Sequence, residues 1–129
     1  MIPRPRVLVV DDYALIRDLI VEVLDFCDVT ALPHGDEACA SVQQVPFDLL
    51  IVDFPLRGNA GFELVDAVRA AGYAMPIVAI SVRMETLHPQ LDELKIPRGQ
   101  RFVKPFTPGL SGIVGCVTIL LANRPAHVA

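Results

Sequence analysis

Two runs of four apolar residues, Val7-Leu8-Val9-Val10 and Leu49-Leu50-Ile51-Val52, each stop at carboxylates: Asp11 and Asp12 after the first, Asp53 after the second. Neither run alternates with polar residues, so each reads as a strand covered on both faces. A strand buried on both sides belongs to a parallel sheet flanked by helices, and this limits the fold more than any other feature of the chain. An ionised group beside such a core is costly to desolvate. In an open parallel sheet, however, the carboxyl ends of the strands border the crevice that receives ligands. Acids placed there point to chemistry rather than packing.

The rest of the chain continues the alternation. Residues 13–26 change to a helical period, with Leu15, Leu19 and Val23 spaced four apart beside Ile16, Ile20 and Leu24. Residues 29–32 read as a second strand, and residues 35–44 as a helix with Ala38 and Val42 inward, closed by Pro46. The third strand covers residues 47–52. A helix over 60–71 carries Phe62, Leu64, Val65 and Val68 and stops at Gly72. Residues 76–80 form the fourth strand, which ends at Ser81. Pro89 and Pro97 bracket a short, irregular fourth helix over 90–96, with Pro89 in its first turn. Residues 101–103 form the fifth strand, followed directly by Lys104. Thr107 and Pro108 make a good helix start, and the last helix runs to Ala122. Five alternations predict an α/β fold with a doubly wound five-stranded parallel sheet, flavodoxin-like in its order 2-1-3-4-5, with helices on both faces. The 129 residues suit one domain, 1–129, with 124–129 as a short C-terminal tail.

Composition excludes several function classes. The net charge is −4 and no long basic run occurs, which argues against direct nucleic-acid binding. The longest uncharged stretch, residues 105–123, holds three glycines and two prolines. Its apolar part falls short of the roughly 20 residues a membrane span needs, so no membrane partner is expected. The N-terminal segment is no signal peptide, because the apolar run after it stops at Asp11. Cys27, Cys39 and Cys116 lack metal-ligand spacing and read as free thiols in a reducing cytosol. His34, His88 and His127 are scattered and read as solvated surface residues. No Gly-rich phosphate loop follows the first strand, which disfavours nucleotide binding. Asp11 or Asp12 also suits capping of the following helix, and one of the pair can do both jobs.

Asp11-Asp12, Asp53, Ser81 and Lys104-Pro105-Phe106, in this order and each at a strand end, together with Gly61 eight residues after Asp53, carry a resemblance. The chain resembles the receiver domain of two-component response regulators over nearly its whole length. The resemblance implies a cytoplasmic signalling phosphoprotein in which Asp53 takes a phosphoryl group from a sensor histidine kinase or a phosphotransfer protein. It implies Mg²⁺ held by Asp11, Asp12, Asp53 and the backbone carbonyl of Pro55. Lys104 would pair with one phosphoryl oxygen and Ser81 would donate a hydrogen bond to another. A cis bond before Pro105 is also implied. The domain would act on no substrate but itself, catalysing only its own phosphorylation and dephosphorylation. Chemically the set is sound: a carboxylate is a competent oxygen nucleophile, and a hard divalent cation takes oxygen ligands.

Four positions depart from the family pattern. Arg101, three residues before Lys104, stands where the family carries an aromatic switch residue; its guanidinium is expected at the surface, or paired with an acid such as Glu85. Val82 follows Ser81 where a small residue is usual, and is expected to crowd the entrance to Asp53. Arg57 replaces a frequent proline, so its loop is expected to rearrange. Pro97-Arg98-Gly99 replaces the usual Gly-Ala approach to the fifth strand. These departures favour an alternative, a pseudo-receiver serving as a phosphorylation-independent interaction module. A haloacid dehalogenase-type phosphatase would need an acid two residues after its nucleophile, where Pro55 stands. No charge occurs between Lys104 and Arg124, so the helix from Thr107 to Ala122 is expected to present an apolar outer side to a second copy of the chain, with Gly109, Gly112 and Gly115 allowing close approach. Six residues follow Asn123, too few for an output domain, which leaves a stand-alone regulator and an excised domain equally open.

Overall fold

The computed structural model describes residues 3–106 and 109–124. Its sheet has the order β2-β1-β3-β4-β5. The strands are β1 (Arg6–Val10), β2 (Asp28–Leu32), β3 (Leu49–Asp53), β4 (Ile77–Ser81) and β5 (Arg101–Val103), and every neighbouring pair is parallel. The helices are α1 (Ala14–Val23), α2 (Gly35–Gln44), α3 (Ala60–Ala70), α4 (Met84–Glu93) and α5 (Ser111–Ala122). A short 3-10 turn, Arg98–Gln100, precedes β5.

The two-residue period of a strand divides the core into two halves. Val7, Val9, Leu49, Ile51, Val78 and Ile80 face the side covered by α1 and α5. Leu8, Val10, Leu50, Val52, Ile77 and Ala79 face α2, α3 and α4. Every residue of β3 and β4 is buried, which explains why their sequences read as unbroken apolar runs. In register, Val10 lies beside Val52, and Ser81 beside Val103. The residues that follow, Asp11, Asp53 and Lys104, therefore emerge at one edge of the sheet. That edge lies where the strand order reverses about β1, the place where ligands enter folds of this kind.

Element order, sheet order and most boundaries match the sequence reading; β3 begins two residues later than expected and includes Asp53, and three helices differ. First, α1 ends at Val23, with Leu24 and Ile20 fully buried but Leu15 largely exposed. Ile16, Ile20, Val23 and Leu24 pack against the core on this side of the sheet, and Leu15 does not. Second, α4 begins at Met84 and contains Pro89 well inside, instead of starting at it. Met84, Leu87 and Leu91 are buried at helical spacing, each worth about 1.5–3 kcal/mol of burial. A proline in a helix interior costs about 3 kcal/mol, and Pro89 is exposed, so the apolar stripe prevails. The helix closes on Lys95 at φ 56, with Lys95 N donating to Asp92 O and Ile96 N to Leu91 O. The same closure ends α3, where Gly72 at φ 88 takes the left-handed position that favours glycine. Third, α5 starts at Ser111; Thr107 and Pro108 lie outside the described residues, as do residues 125–129 of the expected tail. After β5 the chain first makes a turn, with Phe106 at φ 71 donating from its N–H to Val103 O and burying its ring.

The outer side of α5 is less apolar than the sequence suggests. Ile113, Val117 and Leu121 are buried, and Ile119 is the large apolar side chain left exposed there among the described residues. A Cβ on Gly112 would lie 3.3 Å from the Phe102 ring, so that glycine accommodates the chain's own β5. Among the described residues, no helix is long and apolar enough to cross a membrane.

Pro89→Ala restores a donor to the Glu85 carbonyl in α4. It should stabilise the fold by about 1–3 kcal/mol, seen as a higher urea midpoint at unchanged slope.

Candidate functional site

Three strand ends supply the site. Asp11 is fully buried. Its backbone N–H donates to Leu32 O at 3.1 Å, its Oδ1 accepts from Tyr13 N at 2.8 Å, and its Oδ2 receives Lys104 Nζ at 2.9 Å. Asp11 thus makes a turn contact at the entry to α1 and serves the site, but neither acid is the helix cap expected of the pair: Tyr13 stands at the N-cap and no side chain caps α1. Arg17, one turn into α1, donates to the Asp11 carbonyl at 2.8 Å. Lys104 Nζ also reaches Asp53 Oδ1 at 2.9 Å. The backbone N–H of Lys104 donates to Ser81 O at 2.9 Å, which fixes the start of its side chain against β4. The Lys104–Pro105 and Phe54–Pro55 peptide bonds are both cis. The Tyr13 ring lies 5.6 Å from the ammonium.

Carboxylate oxygens of Asp11, Asp12 and Asp53 lie within 4.8 Å of one another. Three acids around one lysine leave a local surplus near −2. Two unit charges 4 Å apart repel by about 4 kcal/mol at an effective dielectric of 20. Burial pushes Asp53 up to about 6, the charges of Asp11 and Asp12 push the same way, and Lys104 opposes them. For Lys104 burial works against the charge, yet its hydrogen bonds to Asp53 and Asp11 hold the ammonium above its ordinary range. Hard oxygens with unbalanced negative charge suit a small divalent cation. The Pro55 carbonyl accepts from Gly61 N at 3.0 Å and keeps a second lone pair.

Ser81 is fully buried; its Oγ accepts from Arg83 N at 2.9 Å, which leaves its proton to be donated. Gly61 has a physical reason. A Cβ there would sit 2.6 Å from the carbonyl oxygen of Asp53, closer than real Cβ atoms come, so α3 can approach β3 only with glycine at this position.

A model of the response regulator receiver domain matches residues 7–109. The chain belongs to this family. This receiver domain is 30% identical over 106 residues to the transcriptional regulatory protein BaeR of Escherichia coli, covering 81% of the chain and 43% of that protein. It is also 30% identical over 107 residues to the DNA-binding response regulator MtrA of Mycobacterium tuberculosis, covering 81% and 46%. The chain thus spans less than half the length of these curated relatives. Among solved structures, the chemotaxis response regulator CheY4 of Vibrio cholerae aligns with a TM-score of 0.75 at 26% identity, over 92% of this chain and 99% of that one. TrrA of Thermotoga maritima, solved in complex with Mg(2+)-BeF, aligns with a TM-score of 0.77 at 24% identity, over 90% and 98%.

In this receiver domain Arg101 does not lie on the surface, and its partner is not Glu85. Its side chain is 2% exposed and pairs with Asp92 at 2.5 Å. It also donates to the Ile96 carbonyl and to His88 Nδ1. His88 is therefore partly buried and engaged, not simply solvated; His34 is exposed, and His127 lies outside the described residues. The sequence offers one signal for this network, the spacing of His88 and Asp92 four apart on one helix face. Arg17 was missed, since a surface helix of this length commonly carries an arginine. Val82 is 65% exposed and borders a small apolar hollow with Tyr13, Leu15, Ile16, Lys104 and Pro105. Arg57 is exposed on the loop between β3 and α3, beside Leu56 at φ 65 and Gly58 at φ 55.

An acid with raised proton affinity in the folded state contributes stability below its ordinary value near 3.8 and loses it as pH rises through about 6. Above that range, ionised Asp53 costs on the order of 1–3 kcal/mol. Asp53→Asn should therefore raise the melting temperature at pH near 7.5 without divalent cations, with the difference shrinking toward pH near 4. Thermal melts of both proteins across that range check this.

Proposed function

We propose that this receiver domain is a phosphoacceptor. An Asp53 carboxylate oxygen forms a bond to phosphorus as the N–P bond of a donor phosphohistidine breaks, and the imidazole leaves with the electron pair. The donor is a sensor histidine kinase or a phosphotransfer protein. The observation that carries this reading is the contact of one buried ammonium with two carboxylates at 2.9 Å, because such a lysine is placed to follow an incoming phosphoryl oxygen.

Asp11, Asp12, Asp53 and the Pro55 carbonyl would hold Mg²⁺, which supplies charge neutralisation between the acids and the phosphoryl group. The chain's own residues do the rest. Lys104 exchanges its bond to Asp53 for one to a phosphoryl oxygen. Ser81 turns its hydroxyl proton to a second oxygen. Asp11 keeps Lys104 anchored during the exchange. Asp53 must be ionised to attack, so the reaction should be faster above the pH range in which it titrates.

The domain's chemistry is directed only at itself, and its changes are read by a partner protein in the cytoplasm. A second copy docking along α5 is one such partner, with Ile119 as its apolar anchor. The net negative charge favours protein partners over direct contact of this segment with nucleic acid.

Millimolar Mg²⁺ should raise the melting temperature at pH near 7.5 in the wild type and much less in Asp12→Ala. Beryllofluoride with Mg²⁺ should then shift the backbone NMR signals around Ser81 and Lys104 in the wild type and leave Asp53→Asn unmoved. Equal responses in wild type and variants would favour a phosphorylation-independent module.

A further inference from the structure

The buried guanidinium of Arg101 has four contacts, and one of them is conditional. Nε and Nη2 donate to the Ile96 carbonyl at 3.0 and 2.7 Å. Nη2 also meets Asp92 Oδ1 at 2.5 Å. Nη1 lies 2.8 Å from His88 Nδ1. A guanidinium can only donate, so Nδ1 must accept, and it can do so only without a proton. His88 and Asp92 both lie on α4, Ile96 just beyond its end, and Arg101 opens β5. One side chain therefore fastens the C-terminal half of the helix to the edge strand of the sheet.

We propose that His88, Asp92 and Arg101 form a proton-sensitive clasp: α4 is held against β5 while His88 is neutral and loosened when it is protonated. A proton on Nδ1 would set an N–H against an N–H and one positive charge against another at hydrogen-bond distance. It would also leave a buried Arg101 donor without its acceptor. The clasped form thus excludes a proton that the released form accepts, and acidification favours release.

The charged surroundings are few. Arg101 faces the ring from β5. On its own helix, Glu85 and Asp92 lie three before and four after it, and Asp92 is shared with Arg98 of the 3-10 turn at 3.6 Å. The acids of α3, Glu63 and Asp66, line a groove with Gln90, Glu93 and Leu94 on another side of α4. Neither β4 nor α5 contains a charged residue.

Asp53 titrates in the same region, so the test uses the Asp53→Asn background and does not depend on phosphorylation. Ring and backbone NMR signals are followed between about pH 5 and 8. The backbone signals of Leu87, Leu91, Ile96 and Phe102 are expected to move with the midpoint of the His88 ring. The added substitution His88→Asn, which keeps an acceptor but cannot be protonated, is expected to abolish that movement. Backbone signals that stay still while the ring titrates, a ring that never titrates, or the same movement in the His88→Asn protein would each overturn the proposal. Should His88→Asn fail to fold, the coincidence of ring and backbone midpoints in the Asp53→Asn protein decides the matter alone.

Discussion

One buried ammonium holds the candidate site together. Lys104 Nζ touches Asp11 and Asp53 at 2.9 Å each, and those residues come from strands joined only through the sheet. The lysine follows β5, Asp11 follows β1 and Asp53 closes β3, so the contact requires the sheet order, the register and the parallel direction of every strand to be correct. A buried pair of this kind is not a strong source of stability, since desolvation offsets much of its attraction. Its consequence is placement. Breaking it would leave a charge buried without compensation, so the three strand ends are kept in one arrangement with an unbalanced negative charge that a cation can satisfy.

Most of this was legible from the chain. Continuous apolar runs at 7–10 and 49–52 identify strands covered on both faces because no polar residue is tolerated on either side, and the structure buries both runs entirely. The acids after them follow from the same logic, since a charge at such a strand end needs a reason. Gly61 was recognised through the family resemblance, by its place eight residues after Asp53. The structure supplies the cause, a carbonyl oxygen 2.6 Å from where a Cβ would lie. Asp11 combining a turn contact with a lysine contact was open in the sequence and is resolved by its two oxygens.

What could not be read concerns side chains that choose between water and the interior. Pro89 is a helix breaker by local rule, yet α4 runs through it because Met84, Leu87 and Leu91 have a core to enter. Arg101 is a surface residue by type, and only the tertiary structure reveals the carbonyl, carboxylate and imidazole that replace its water. Leu15 belongs to an apolar stripe in the sequence and lies exposed because α1 meets the sheet along a narrower line. In each case the local signal was real and a neighbour distant in sequence decided the outcome. The same network fastens α4 to the start of β5, the strand that leads to Lys104, through polar contacts.

The central claim is that the convergent acids and lysine make Asp53 a phosphoryl acceptor. Intact-mass spectrometry after incubation with acetyl phosphate and Mg²⁺, followed by chemical trapping of the acyl phosphate and peptide mapping, tests it most directly. A single Mg²⁺-dependent phosphoryl adduct mapped to Asp53 and absent from Asp53→Asn is the predicted result. No adduct on folded, Mg²⁺-bound protein, or an adduct on another residue, would contradict it.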